Sequence, residues 1–135
     1  MKKIFLVSAF AFLASCASVQ NTPKQDFNWN GANLYFAVTD RFNNGNPNND
    51  VNFNRTEKAA VLRGFEGGDI RGVIQKIDEG YFKNLGINAI WLTPIVEQIH
   101  GATDEGTGKT YAFHGYWTKD WTALDPNFGT EEDLK

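Results

Sequence analysis

The side chains here best suited to chemistry are oxygen donors gathered in one stretch: Asn44, Asn46, Asn49 and Asp50, with Gly45 and Pro47 among them and Asp69 further on. Neutral and anionic oxygens clustered on a loop stiffened by proline and glycine suit a hard cation such as Ca²⁺. The helical calcium-loop template, counted from Asn46, puts Asp50 at its fifth position and Glu57 at its twelfth. It fails, because Val51 stands where that template requires glycine, and Gly45 and Pro47 exclude a preceding helix. On composition alone, an Asn-rich turn without an ion is the commoner reading.

A second group, His114, Tyr116 and Trp117 around Gly115, sits in a polar, glycine-bearing stretch. An aromatic plane can carry the apolar face of a sugar ring while the ring hydroxyls bond at its edge. Core packing is nonetheless the commoner role for any single Tyr or Trp. Asp120 and Asp125 invite reading as a carboxylate pair. A contact after the Trp117 segment and a turn initiator before Pro126 are the roles expected of them. His100 lies in a variable stretch and is expected to be exposed, with no role.

Cys16 is the one cysteine, so no disulfide framework exists. Lys2 and Lys3 precede an apolar run that ends in small residues, a secretory signal too short to span a membrane. Leu13-Ala14-Ser15-Cys16 resembles a bacterial lipobox, in which the cysteine becomes the lipidated first residue. An ordinary signal cut after Ala17 is the alternative. The expected organisation is a leader over 1–15, a flexible tether over 16–30 and a folded part over 31–135. The formal net charge is −3, and losing Lys2 and Lys3 makes the remainder more acidic, which argues against nucleic acid as a partner.

Elements must hold these groups in place. Residues 34–38 form a short apolar run of β-formers, expected as a strand buried on both faces. Residues 43–63, dominated by Asn, Gly and Pro, predict a long ordered loop. Asp69 opens a helix whose apolar residues Ile70, Val73, Ile74, Ile77, Tyr81 and Leu85 recur at spacings of three and four, up to Gly86. Gly72 and Gly80 each cost about 1 kcal/mol in a helix, so close packing is expected to explain them. Residues 89–92 predict a second strand, closed by Pro94, and strand, helix, strand predicts a parallel βαβ unit. Residues 96–120 read as a loop, and Thr130 with Asp133 reads as the capping box of a new helix, cut short at Lys135. Two parallel strands and one full helix cannot cover both faces of a sheet, so exposed apolar surface and an incomplete domain are expected.

Five segments in chain order carry a resemblance. They are Thr39-Asp40-Arg41-Phe42-Asn43-Asn44-Gly45-Asn46-Pro47, Gly67-Gly68-Asp69-Ile70-Arg71-Gly72, Leu85-Gly86-Ile87-Asn88-Ala89-Ile90-Trp91-Leu92-Thr93-Pro94, His114-Gly115-Tyr116-Trp117 and Asp125-Pro126-Asn127-Phe128-Gly129-Thr130. Together they resemble the N-terminal part of glycoside hydrolase family 13, the alpha-amylases and cyclodextrin glucanotransferases. The resemblance implies an α/β fold, the N-terminal fragment of a (β/α)8 TIM barrel whose usual size is about 250 residues. It implies a structural calcium held by Asn44, Asn46, Asn49, Asp50, the backbone of Gly67 and the carboxylate of Asp69. Many members carry an acid where Asn44 or Asn46 stands, a departure that weakens the site unless Asp50 supplies the missing charge. It also implies that Tyr116 stacks on a sugar ring beside the scissile bond, bordered by His114 and Trp117.

Retaining glycosidases need two carboxyl groups about 5 to 5.5 Å apart. The family's nucleophilic Asp, acid/base Glu and further Asp resemble nothing in this chain, so no catalytic residue is assigned. The implied function is a retaining hydrolase of α-1,4-glucans; the leader and the lipobox-like segment add export and lipid anchoring to the bacterial cell envelope, with Ala17 after Cys16 compatible with the outer membrane. A cyclodextrin glucanotransferase-type transglycosylase and a non-catalytic glucan-binding surface lipoprotein are the alternatives.

Overall fold

A computed structural model of the chain describes residues 26–135. The leader, Cys16 and the tether up to residue 25 lie outside the described residues. Strand β1 (Leu34–Ala37) leads directly into a one-turn helix α1 (Thr39–Phe42). A long loop with one 3₁₀ turn at Pro47–Asn49 follows, then helices α2 (Ile70–Asp78) and α3 (Tyr81–Asn84) and strand β2 (Ala89–Leu92). β1 and β2 pair in parallel, with Leu34 opposite Ala89 and Ala37 opposite Leu92, which completes the expected βαβ unit.

The helical layer covers one face of this small sheet. Tyr35 meets Phe82 edge-on at 5.2 Å, and Phe42 stacks on Phe82 at 5.6 Å. Ile70, Val73, Phe82 and Ala37 are buried beside them. The opposite face is bare, and here the expectation of a strand buried on both sides is corrected. Leu34 and Phe36 are 49% and 53% exposed, and Trp91 on β2 is 60% exposed. Side chains alternate across a strand, so a sheet with helices on one side only must leave every second residue open. This is the apolar surface that the count of elements required.

The single helix expected over 69–85 is two helices. Gly80 takes φ +75° between them, and its left-handed conformation separates α2 from α3. Gly72 is explained differently, by close approach: a Cβ there would lie 1.8 Å from the Asn43 carbonyl oxygen.

Residues 96–120 are not one loop. They hold β3 (Val96–Gln98), the two-residue strands β4 (Thr103–Asp104) and β5 (Lys109–Thr110), and the start of β6 (Thr118–Leu124). β3 pairs antiparallel with β6, and β4 with β5. Register shifts on both sides of Glu97 break the alternation that would have announced a strand. At the end of the chain the capping contacts form, with Thr130 Oγ1 2.7 Å from Asp133 Oδ2, but the backbone there makes turns rather than a helix.

Candidate functional site

Both parallel strands deliver the chain to the same edge, and the two residues that leave them lock together. Thr39 N–H donates to Thr93 Oγ1 at 3.1 Å, and Thr93 N–H donates to the Ala37 carbonyl at 3.0 Å. In parallel α/β folds ligands bind outside these carboxyl ends. Asp40, Arg41 and Pro94 follow immediately, so whatever packs on them borders that edge.

The aromatic group packs there. Gly115 has φ +84°, and a Cβ on it would lie 2.1 Å from the Pro94 carbonyl oxygen, so the segment rests on the chain leaving β2. Next to it, Phe113 lies under the Arg41 guanidinium at 3.8 Å. The His114 ring is near parallel to Tyr116 at 5.9 Å and edge-on to Trp117 at 4.8 Å. Tyr116 N–H donates to His114 Nδ1 at 3.0 Å, and Trp117 N–H donates to Gln98 Oε1 at 2.8 Å. Tyr116 remains 59% exposed, an aromatic face held from behind and open in front.

Burial holds the His114 imidazole below the usual histidine range, with Glu105 pulling weakly the other way. A neutral ring is also what the Tyr116 N–H bond requires, since Nδ1 must accept it. The folded form resists protonation, so this group's stabilisation is present above the ordinary histidine range and is lost as the pH falls through the lower folded value. Proton titration followed by NMR is expected to place His114 below free histidine, with the Tyr116 amide shifting in step. A midpoint at or above that of free histidine contradicts this.

The oxygen-rich loop is tied to the same edge. Asp40 accepts both Glu66 N–H, at 3.0 Å, and Gly67 N–H, at 3.3 Å. Burial pushes its carboxyl up to about 6, while those N–H groups and Arg41 pull it down. Asn44 Nδ2 donates to Asp50 Oδ1 at 2.8 Å, and a Cβ on Gly67 would lie 2.6 Å from that same oxygen. Asn44, Asp50 and Gly67 are therefore brought together. Asp69 is wholly buried and caps α2 through Gly72 N–H at 2.6 Å. Its oxygens also accept Gly45 N–H at 3.0 Å and Asn46 N–H at 2.9 Å, so it reaches Asn46 through the backbone. The Asn46 side chain instead caps the 3₁₀ turn at Asn48 N–H, 3.3 Å away. Asn49 Oδ1 is buried and has no hydrogen-bond partner among the described residues. A buried carbonyl oxygen left this way costs about 1–3 kcal/mol unless something outside the chain satisfies it.

Among the described residues no three His, Cys, Asp or Glu side chains gather as a metal cluster. The donors in this loop are amide and carboxylate oxygens, which fit a hard cation and not zinc.

Two roles read from the sequence change. His100 is half-buried, stacked on Phe53 at 3.8 Å and bonded to Glu97 at 2.7 Å, rather than exposed. Asp125 opens the expected turn through Asn127 N–H at 3.1 Å, but it is also the buried partner of Arg55, 2.6 Å away. Arg55, an arginine within an Asn-rich loop, gave no sign in the sequence of being buried. Asp120 accepts both the N–H and the hydroxyl of Thr122 at 2.7 Å, a local contact.

Residues 36–135 match the family described as alpha amylase, catalytic domain. The chain is 47% identical over 113 residues to the periplasmic alpha-amylase of Escherichia coli K12, covering 81% of this chain and 16% of that protein. It is 33% identical to the cyclomaltodextrin glucanotransferase of Klebsiella oxytoca, covering 92% of this chain and 18% of that protein. Among solved structures, an Anoxybacillus alpha-amylase aligns with TM-score 0.63 at 36% identity, covering 81% of this chain and 21% of that one. The gamma-cyclodextrin glucanotransferase of alkalophilic Bacillus clarkii aligns with TM-score 0.64 at 35% identity, covering 75% and 15%. The chain thus spans less than a quarter of each of these proteins. Its strand, helices and parallel strand are those of the N-terminal part of a (β/α)8 barrel. With its aromatic group and oxygen loop at the strands' carboxyl edge, the chain belongs to glycoside hydrolase family 13, the alpha-amylase family.

Proposed function

We propose that this chain is the amino-terminal portion of an exported, retaining glycosidase that hydrolyses α-1,4-glucans such as starch and maltooligosaccharides. The observation that carries the reading is the open face of Tyr116 at the carboxyl edge of β2, backed by the His114 ring, which itself meets Trp117 edge-on. A ring surface so placed offers an apolar plane to a glucose unit, and the polar rim leaves its hydroxyls room to bond. A solved relative, the alpha-amylase of Geobacillus thermoleovorans, is complexed with acarbose and is 39% identical to this chain. Hydrolysis is favoured over glycosyl transfer because identity is 47% with the E. coli amylase, against 39% with the cyclomaltodextrin glucanotransferase of Bacillus sp. strain 1011 and 33% with the K. oxytoca transferase. In the whole protein, Tyr116→Ala is expected to weaken maltooligosaccharide binding about tenfold, the scale of one lost aromatic contact. Calorimetry with maltoheptaose checks this, and unchanged affinity removes Tyr116 from the site.

The same reading includes a structural Ca²⁺ held by Asn44, Asn46, Asn49, Asp50, Gly67 and Asp69. Asn49 Oδ1, without a partner among the described residues, the Asp50 carboxylate beside Gly67 and the all-oxygen donor set support it. When bound, the ion supplies charge neutralisation and cross-linking to the loop, not chemistry on the substrate. Calcium at about 100 times its dissociation constant contributes about 2.7 kcal/mol. A chelator is therefore expected to lower the melting temperature of the whole protein by several degrees, and no shift means that the ligands are wrongly assigned.

For the amino-terminal region we propose a leader over 1–15, lipidation at Cys16, a tether over 16–30 and the barrel portion over 31–135. A periplasmic relative supports export. Anchoring rests on the lipobox-like Leu13-Ala14-Ser15-Cys16. Cys16→Ser is expected to move the protein from the membrane to the soluble fraction.

A further inference from the structure

We infer that Arg55 is the positioning residue of the oxygen loop, acting through Asn127 to fix the backbone at Asp50; this rests on the calcium reading above. The Arg55 guanidinium is buried, with the Phe53 and Phe65 rings 5.0 and 4.8 Å from its central carbon. Its fork meets Asp125 twice, Nη1 to Oδ1 at 2.8 Å and Nη2 to Oδ2 at 2.6 Å. Nη2 also donates to the Gln98 and Ile99 carbonyls, both at 3.2 Å, which tie it to β3. These contacts hold the guanidinium still whether or not an ion is present.

Nη1 has one further acceptor, Asn127 Oδ1. A primary amide has one accepting and one donating end, so committing Oδ1 to Arg55 turns Nδ2 the other way. Nδ2 donates to the Asp50 carbonyl at 2.6 Å. The flipped amide would set donor against donor at Arg55 and acceptor against acceptor at Asp50, so only one orientation is satisfied. Asp50 is thereby pinned by its backbone while its side chain stays with Asn44 beside Gly67. A carboxylate fixed before the ion arrives gives up less conformational entropy on binding it. Groups behind a metal's ligands typically govern about 10- to 100-fold in affinity.

The experiment measures Ca²⁺ affinity by titration against a fluorescent chelator in the whole protein, for wild type, Arg55→Lys and Asn127→Ala. Melting temperatures in excess chelator are recorded beside it. Arg55→Lys loses the fork, whereas Asn127→Ala leaves the Arg55–Asp125 pair intact and decides the matter if the lysine variant does not fold. Both are expected to bind Ca²⁺ at least about tenfold more weakly. A purely structural role would lower the chelated melting temperature and leave affinity within about twofold, and that result overturns the inference alone. A wild-type protein without Ca²⁺ affinity overturns the calcium reading and this inference with it.

Discussion

Replacing Gly72 with alanine is expected to destabilise the protein by about 3 kcal/mol, the upper end of overpacking costs. The new Cβ would lie 1.8 Å from the Asn43 carbonyl oxygen and 2.6 Å from its carbonyl carbon, and neither belongs to a flexible side chain. The backbone after α1 must then move off α2. That same Asn43 oxygen accepts Asp69 N–H at 3.1 Å, and Asp69 holds Gly45 N–H and Asn46 N–H. Displacing the loop therefore breaks its anchor and exposes Asp69, which also caps α2. Melting of the whole protein tests this beside Gly31→Ala, where no atom lies within 4 Å of the new Cβ. Equal melting temperatures for the two variants would mean that helix and loop do not approach so closely.

The parallel strands were legible because apolar runs of β-formers ended by Pro94 and by Thr39-Asp40 have few other readings. The helix over 69–85 was legible in its face but not in its continuity. Its apolar spacing runs through Gly80 unbroken, and only the backbone reveals φ +75° there. The β3–β6 ribbon was hidden because bulges around Glu97 spoil the alternation and its partner lies some twenty residues away. At the site, Asn44, Asp50 and Gly67 come together, whereas Asn46 and Asp69 meet through main-chain N–H groups that a list of side-chain donors cannot show. Arg55 was invisible for a related reason: an arginine between Asn54 and Thr56 looks like a solvated charge, and its buried partner Asp125 is 70 positions distant.

The bare sheet face and the placed aromatic group are two sides of one arrangement. Leu34, Phe36 and Trp91 alternate with the residues that face the helices, and they offer apolar area to whatever continues the barrel. The site residues lie beyond the strand ends, on loops fastened by Thr39, Asp40 and Pro94. The geometry of Tyr116 therefore depends on local main-chain contacts, and, on the function proposed above, a substitution that disturbs those contacts would reach the substrate without touching an aromatic side chain.

Gly115→Ala makes that dependence measurable. Its φ of +84° costs an alanine about 1–2 kcal/mol, and its Cβ would lie 2.1 Å from the Pro94 carbonyl oxygen. The segment must lift by roughly 1 Å, carrying His114, Tyr116 and Trp117 with it, and a misplacement of that size can cost up to about 10²-fold in rate. The whole protein is expected to lose about a hundredfold in kcat/KM on maltooligosaccharides, although every aromatic side chain is retained. Gly106→Ala separates strain from contact, since its φ is +78° and nothing lies within 4 Å of the added atom. That variant pays the backbone cost and is expected to keep its activity within about threefold. Should Gly115→Ala behave like Gly106→Ala, the support of the aromatic group on Pro94 has no part in substrate handling.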